Sequence, residues 1–216
     1  MPPSVISSSL PAANANRQVA ERETRHFKEY KSMTSQRIGK YACLETERRY
    51  LLNKIPADLL QNNGWLITDH YFPATRLRLR RMISIPGDET VYKLTQKYRA
   101  EIQNAHETTI TNFYLTEGEY NFLQRLEAKV IEKRRYPYRA QHQHFSIDVF
   151  EGRHQGLILA EMELEKDSDL DEIAVPVFAL EDVTEDPYFT GGNLAGMPDL
   201  EFRRGLSQRL RNHEKL

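Results

Sequence analysis

The sequence of 216 residues contains a single cysteine and no long apolar run. One cysteine, Cys43, excludes a disulfide within the chain and is typical of a reducing compartment. No apolar stretch approaches the ~18 residues that cross a bilayer, and the N-terminus lacks the basic start and apolar core of a secretory signal. The sequence therefore predicts a cytoplasmic protein that does not bind membranes.

The sequence also has no excess of either charge. It contains 30 lysines and arginines and 31 aspartates and glutamates, which gives a formal net charge of -1 at pH 7. This balance excludes a global attraction to nucleic acid, so any basic binding site must be local. A hydrophobic content of 39% in a chain of this length is sufficient for the core of one domain.

Three common site motifs are missing as well. The sequence has no glycine-rich phosphate loop, no Gly-x-Ser-x-Gly elbow, and no cysteine and histidine cluster with zinc spacing. These absences exclude the corresponding nucleotide-binding, serine-hydrolase and zinc-binding classes of site.

The sequence does contain charged residues at every second position, the spacing that places side chains on one face of a β-strand. Acidic and basic rows occupy different segments. The rows are Glu45 and Glu47, followed by Arg49, and Glu161, Glu163 and Glu165, against Arg76, Arg78 and Arg80, Lys93 and Lys97, and Lys133 and Arg135. Like charges along a strand repel one another, so we expect opposite charge to lie beside each row.

The rest of the pattern is mostly β. About eight strand segments follow one another in hairpin-like succession, which predicts an antiparallel sheet or a closed barrel. Thr116 and Glu119 have the spacing of a capping box and predict a helix over residues 117–128, with an apolar stripe that includes Phe122 and Leu126. The basic segment 200–216 predicts a terminal helix. Cys43 is interpreted as a small core residue.

The charged rows have an ordinary and a functional interpretation. In the ordinary one they are solvent faces of amphipathic strands, as most charged rows are. In the functional one they line a wet barrel interior, because burial of so much charge is unfavourable unless it serves a ligand. Arginine and lysine bind phosphate oxygens, and carboxylates bind Mg²⁺ or Mn²⁺. The functional interpretation therefore indicates phosphoryl transfer from a polyphosphate.

In their order along the chain these motifs resemble the CYTH, or triphosphate tunnel metalloenzyme, superfamily. The matching segments are residues 45–49 (ETERR), 75–81 (TRLRLRR), 93–97 (KLTQK), 132–136 (EKRRY), 147–152 (IDVFEG) with 156–164 (GLILAEMEL), and 183–195. The resemblance implies a mainly β, α+β fold, in which an eight-stranded antiparallel β-barrel forms a tunnel with a few flanking helices. We expect a partly disordered N-terminal extension over residues 1–37, the tunnel domain over 38–196 and a C-terminal helix over 197–216.

The resemblance also implies roles for the charged residues. Metal would be held by Glu45, Glu47, Glu161 and Glu163, with Glu165 added, and phosphates by Arg76, Arg78, Lys97, Lys133 and Arg135, with Arg80 and Lys93 added on face geometry. Glu45, Glu47 and Arg49 are the expected catalytic residues. Arg49 stands where the family has a lysine, and residues 106–111 match the mid-chain acidic strand poorly. Both departures bear on rate and substrate choice more than on phosphate binding.

The resulting hypothesis is a metal-dependent triphosphatase that hydrolyses inorganic tripolyphosphate or a related organic triphosphate, with Mg²⁺ or Mn²⁺ as cofactor. The first alternative is a non-catalytic module that binds polyphosphate or nucleotides. The second is adenylate cyclase, ranked lower because nothing in the sequence indicates a base pocket. The expected partner is a small-molecule triphosphate or polyphosphate, with no nucleic acid and no membrane, and a homodimer is left open.

Overall fold

Nine β-strands are the main regular elements of the structure, a computed structural model that describes residues 41–98, 107–164 and 173–212. The strands are β1 (Cys43–Leu52), β2 (Gly64–Tyr71), β3 (Leu77–Ile85), β4 (Thr90–Tyr98), β5 (Glu107–Leu115), β6 (Lys129–Ala140), β7 (Gln143–Phe150), β8 (Ile158–Glu163) and β9 (Glu181–Asp182). The helices are α1 (Glu117–Leu123), α2 (Gly191–Gly196) and α3 (Asp199–Asn212). The expected extension, residues 1–37, lies outside the described residues, and the division into domains stays a prediction.

The strands form one sheet in the order β5-β4-β3-β2-β6-β7-β8-β1, in which every neighbouring pair is antiparallel. β5 also pairs with β1, with Cys43 opposite Ile110, so the sheet closes on itself. The short β9 adds a further antiparallel pairing to β1 at Tyr50. The predicted eight-stranded antiparallel barrel is therefore confirmed.

A buried apolar cluster covers the outer face of the strands around β1. Tyr50 and Leu52 of β1 pack there with Ile147 of β7 and Met162 of β8, and residues 173–179 lie against them. Side chains alternate between the two faces of a strand, so the apolar half of β1 points away from its charged half. The alternation predicted for β1 is present in the structure.

Arg48 is the one charged residue on this apolar face of β1. Its guanidinium donates a hydrogen bond to the carbonyl oxygen of Ile173 at 2.7 Å and lies 3.3 Å from the carboxylate of Asp182. Ile173, from the covering segment, and Asp182, from β9, thus both supply partners for this partly buried charge.

A second apolar cluster joins the barrel to its C-terminal helices. Phe189, Leu194, Phe202 and Leu206 are buried there together with Leu159 of β8. Each such side chain stabilises the fold by about 1.5–3 kcal/mol when fully buried. α2 therefore docks on the barrel through apolar contacts, to which the guanidinium of Arg153 adds hydrogen bonds to the carbonyl oxygens of Leu194, Ala195 and Met197.

Gly205, inside α3, is explained by its neighbour Tyr188. A Cβ added at Gly205 would come within 2.5 Å of the Tyr188 ring, so a larger residue would push the helix away. The Tyr188 hydroxyl donates to the carbonyl oxygen of Phe202 at 2.6 Å, and the guanidinium of Arg209 lies 4.0 Å from the centre of the ring.

Within the described ranges, no helix is long and apolar enough to cross a membrane.

The capping box predicted for α1 is present. The backbone N–H of Glu119 donates to the hydroxyl oxygen of Thr116 at 3.3 Å, and the backbone N–H of Thr116 donates to the Glu119 carboxylate at 2.7 Å. These two bonds satisfy donors that the first helical turn leaves without partners. The sequence therefore located the start of this helix correctly.

The predicted end of α1 is wrong. The helix ends at Leu123, and the chain pairs with β2 again from Lys129 onward. Phe122 and Leu126, expected in a buried stripe, have 69% and 54% of their surface exposed. Tyr120 is the buried residue of α1. The reason is tertiary, because the strand pairing of β6 from Lys129 onward prevents residues 124–128 from continuing the helix.

Cys43 is exposed, so its interpretation as a core residue is also wrong. It is the first residue of β1, in the half of that strand that pairs with β5 and not with β8. The burial of β1 begins further along, from Glu47 to Leu52. Position along the strand, which the alternation does not encode, determines its exposure.

Candidate functional site

The barrel encloses a charged cavity with a volume of ≈ 1100 Å³. It brings together the predicted site residues that lie in the described ranges. They are Glu45, Glu47, Arg49, Arg76, Arg78, Arg80, Lys93, Lys97, Lys133, Arg135, Glu161 and Glu163. Glu165 lies outside the described residues. The charged rows thus face the interior of the barrel, and their ordinary interpretation as solvent faces is wrong.

The cavity is locally basic although the chain is not. Of the residues that the structure describes, ten lysines and arginines line it against five aspartates and glutamates. The whole chain has a formal net charge of -1. A concave, low-dielectric site with excess positive charge concentrates anions.

The acidic wall of the cavity is formed by β1 and β8. Their register places Glu47 opposite Glu163 and Arg49 opposite Glu161. The guanidinium of Arg49 lies between two carboxylates, with Nη2 donating to Glu47 Oε1 at 2.7 Å and Nε to Glu161 Oε1 at 3.5 Å. Burial lowers the pKa of Arg49, but Glu161 and Glu47 raise it, and the result lies above its ordinary value. Arg49 is therefore a fixed positive charge.

Lys97 of β4 is a second cation on the acidic wall. Its ammonium donates to Glu45 Oε2 at 2.7 Å and lies 3.4 Å from Glu47 Oε1. The oxygens of Glu45 and Glu47 therefore converge on one cation. The side chain of Lys97 is 32% exposed and that of Arg49 is 9% exposed, so the two cations differ in their freedom to move.

The basic wall depends on Asp69 of β2, which the sequence did not single out. Arg80 forks onto it, with Nε 2.6 Å from Oδ1 and Nη2 2.7 Å from Oδ2, and Arg78 lies 3.7 Å away. Asp69 is 1% exposed, and burial alone would raise the pKa of its carboxyl group. Arg80 and Arg78 outweigh that effect and hold the pKa well below its usual range. Asp69 thus fixes the orientation of Arg80 and attracts the charge of Arg78.

Asp148 of β7 plays the same part for β6. Arg135 forks onto it, with Nε 2.7 Å from Oδ1 and Nη2 2.6 Å from Oδ2, and the ammonium of Lys133 donates to Oδ2. Arg135 also donates to Glu161 across the cavity. Burial lowers the pKa of Arg135, but Asp148 and Glu161 raise it well above its ordinary value. Asp148 itself is fully buried.

Sequence analysis identified neither Asp69 nor Asp148 as a partner of the cavity arginines, for two different reasons. Asp148 lies in the matched segment 147–152, but its two partners depend on the pairing of β6 with β7, in which Arg135 lies opposite Asp148. Asp69 lies opposite Arg80 in the pairing of β2 with β3. The available signal was that Asp69 is the one acidic residue of the segment 65–71 (WLITDHY). The role of Asp69 follows from the register between β2 and β3, which the sequence of a single strand does not encode.

Lys93 faces mostly positive neighbours. Burial lowers its pKa, and Arg80, Arg78 and Arg135 lower it further. Its ammonium lies 5.4 Å from the centre of the Tyr114 ring. Within the described residues no carboxylate forms an ion pair with Lys93, so this part of the cavity carries positive charge that a bound anion would balance.

The carboxylates of the acidic wall fit a metal ion only together with a ligand. Among the residues that the structure describes, no three acidic, histidine or cysteine side chains are grouped to hold a metal ion. Mg²⁺, however, is commonly bound through one or two carboxylates plus substrate phosphates. Glu45 and Glu47 meet that requirement, because their oxygens already converge on the ammonium of Lys97. Both oxygens of Glu161 are engaged, by Arg49 and by Arg135.

No protein-family model and no curated protein matches the chain. Among solved structures, the inorganic triphosphatase NE1496 is 24% identical, over 71% of this chain and 95% of that one, with a TM-score of 0.49. A second structure of NE1496, described as a hypothetical protein, is also 24% identical, over 70% and 97%, with a TM-score of 0.48. The protein PH1819 of Pyrococcus horikoshii OT3 is 20% identical, over 60% and 81%, with a TM-score of 0.42. At these values the likeness carries no conclusion about activity.

Proposed function

We propose that this chain binds a triphosphate in the barrel cavity and hydrolyses it, with inorganic tripolyphosphate as the favoured substrate. The observation that carries the proposal is the excess of cavity-lining cations, ten against five acidic residues, in a chain without net positive charge. Tripolyphosphate is compact and highly anionic, and it needs no pocket for a base or sugar. The cavity supplies cations on one side and carboxylates on the other.

The cations divide into fixed and adaptable phosphate ligands. Arg80 and Arg135 are oriented by the buried aspartates, so their remaining N–H groups are held in place before a ligand arrives. Such orientation lowers the entropy lost on binding. Lys93 and Lys97 have flexible stems and can follow the phosphate chain. Arg76, at the entrance to β3, also lines the cavity.

Glu45 and Glu47 are the proposed metal ligands, together with phosphate oxygens of the substrate, and Glu163, opposite Glu47, is the nearest addition to them. A bound Mg²⁺ or Mn²⁺ would neutralise phosphate charge and provide an activated water. The ammonium of Lys97, which now lies between these two glutamates, would move onto a phosphate oxygen. Lys97 would thereby lose its carboxylate contacts and gain a contact with a phosphate oxygen. Its positive charge would remain balanced by negative charge throughout.

Arg49 contributes to this reaction through charge and hydrogen bonds only. A guanidinium keeps its proton under all physiological conditions, so it does not act as a general base. Its bonds to Glu47 and Glu161 fix the positions of both carboxylates. We therefore propose Arg49 as a positioning residue of the acidic wall.

The second candidate function is a module that binds triphosphate without turnover. It is favoured by the paired state of the acidic wall, where Arg49 and Arg135 already engage both oxygens of Glu161. It also agrees with the lack of a three-carboxylate group among the described residues. The two functions share the basic wall and differ in what Glu45 and Glu47 do.

Phosphate release separates the two functions. Release from tripolyphosphate, ATP and thiamine triphosphate would be measured with Mg²⁺, with Mn²⁺ and with chelator. We expect metal-dependent release, fastest on tripolyphosphate, which Glu45→Gln reduces by about a hundredfold or more. Glu151→Gln, which removes an exposed carboxylate outside the cavity, serves as the matched control. Binding of tripolyphosphate without any release would leave the binding module, and absence of both would end the phosphate proposal.

A further inference from the structure

The acidic wall offers two positions for a cation, and side chains of the chain lie in both. At the first, the ammonium of Lys97 lies between Glu45 and Glu47. At the second, the guanidinium of Arg49 lies between Glu47 and Glu161. Glu47 is shared by the two positions. They are chemically alike in their carboxylates and differ in the cation between them.

Arg49 is held in its position by its backbone as well as by its side chain. Its backbone N–H donates to the hydroxyl of Thr184 at 2.9 Å, and its carbonyl oxygen accepts from the N–H of Val183 at 2.8 Å. Thr184 and Val183 are both buried. The strand therefore cannot shift at Arg49 without breaking its contacts with residues 183–184.

Displacement of the Arg49 guanidinium by a metal ion would be unfavourable. The residue is only 7% exposed, and the guanidinium keeps its proton, and therefore its charge, under all physiological conditions. A metal between Glu47 and Glu161 would leave this cation buried beside a second positive charge and without its carboxylates. Lys97 is under no such constraint, because its more exposed ammonium can swing away on a flexible stem.

We infer that Arg49 takes the place of a divalent cation between Glu47 and Glu161, so that the wall has one exchangeable metal position, between Glu45 and Glu47. This inference deepens the proposed function and rests on it for the role of the first position. Its consequence is that Glu161 does not hold metal in this chain but serves as the counter-ion of Arg49 and Arg135. The guanidinium also gives the cavity one phosphate-facing charge that needs no metal.

The test is the number of Mn²⁺ ions that the full chain binds, measured with Mn²⁺ alone by the loss of the free-ion electron paramagnetic resonance signal. Arg49→Met keeps an unbranched, largely apolar side chain and removes the charge. We expect it to bind one more Mn²⁺ than the unsubstituted chain at saturation. Arg134→Met, which frees Glu151 from an exposed ion pair outside the cavity, is the matched control and should bind the unsubstituted number. Equal numbers for Arg49→Met and the unsubstituted chain, or an equal gain in the control, would overturn the inference.

A second variant keeps the test decisive if Arg49→Met fails to fold by circular dichroism. Glu161→Gln keeps the shape of the side chain and one acceptor oxygen, which can accept from either Arg49 or Arg135, and it removes one negative charge. Because Glu161 holds no ion in the inferred arrangement, the Mn²⁺ number should not fall, whereas Glu45→Gln should lower it. A loss of bound Mn²⁺ in Glu161→Gln would contradict the inference.

The outcomes for the inference and for the proposed function are separate. The Mn²⁺ count contains no phosphate and does not depend on turnover. Equal counts in a chain that releases phosphate from tripolyphosphate would remove the inference alone. If Arg49→Met binds one more Mn²⁺ but the unsubstituted chain neither binds nor hydrolyses triphosphates, the proposed function would be wrong. The inference that Arg49 occupies a cation position would stand.

Discussion

The carboxylates on the two walls of the cavity are paired in different ways. On the basic wall, Asp69 and Asp148 are at most 1% exposed, and an arginine forks onto each. On the acidic wall, Glu45 has a side chain that is 24% exposed and contacts the single ammonium of Lys97. Forked, buried pairs are rigid, whereas a partly exposed ammonium exchanges partners readily.

The difference indicates a division of labour between fixed and exchangeable charge. A buried ion pair adds little net stability but is strongly destabilising to break, because one charge is left without a partner. An exposed pair contributes about 0–1 kcal/mol, so its loss is tolerated. We therefore expect substitutions on the basic wall to affect folding first, and substitutions at Glu45 or Lys97 to affect ligand binding first.

The largest effect is expected for Asp148→Ala. It leaves the buried Lys133 and the partly buried Arg135 without their shared carboxylate, which should lower the free energy of unfolding by about 3–5 kcal/mol. Urea denaturation measures it directly. Glu151→Ala, which removes the partner of the exposed Arg134, should change the same quantity by about 1 kcal/mol or less. If both variants lost a similar free energy of unfolding, the distinction between fixed and exchangeable charges would be contradicted.

A smaller loss is expected for Asp69→Asn. The amide keeps an acceptor for Arg80 but removes the charge, so the free energy of unfolding should fall by about 1–3 kcal/mol. Affinity for tripolyphosphate should fall as well, because Arg80 loses the carboxylate that fixes its orientation. Calorimetric titration of the folded variant measures the second effect. Unchanged affinity would mean that Asp69 serves folding alone.

Acid should weaken the fold through the same carboxylates. In the folded chain the pKa values of Asp69 and Glu161 lie well below the usual range of a carboxyl group. A group with a depressed folded pKa stabilises the fold above its unfolded value, about 4, and that contribution is lost as the pH falls toward the folded value. The melting temperature should therefore drop below about pH 4, and less steeply in Asp69→Asn. Equal pH profiles for the variant and the unsubstituted chain would contradict this assignment.

The smallest effect on stability is expected for Lys97→Met. The free energy of unfolding should change by about 1 kcal/mol or less, because the ammonium is partly exposed. Affinity for tripolyphosphate should fall by about tenfold, equivalent to about 1.4 kcal/mol, through loss of one charge-assisted contact. Lys54→Met, at an exposed position that does not line the cavity, is the control. A large loss of stability in Lys97→Met would place it with the fixed charges instead.

Sequence reasoning succeeded where a signal is local to one segment. Alternation in β1 separated Glu45 and Glu47 from Tyr50 and Leu52, and the capping box located the start of α1. It failed at the end of α1, where the pairing of β6 with β2 stops the helix. The apolar spacing of Phe122 and Leu126 does not indicate that strand pairing of β6 competes with continuation of the helix.

The sequence by itself determined which residues carry the charges and which face of each strand they share, because side-chain alternation follows from the backbone alone. Only the tertiary structure decided which charges meet. Asp69 orients Arg80, and Arg49 lies between Glu47 and Glu161, because register and barrel closure bring together residues far apart in the chain. The physical reason is that an ion pair depends on a distance of a few ångströms between atoms of different strands, which no single strand specifies.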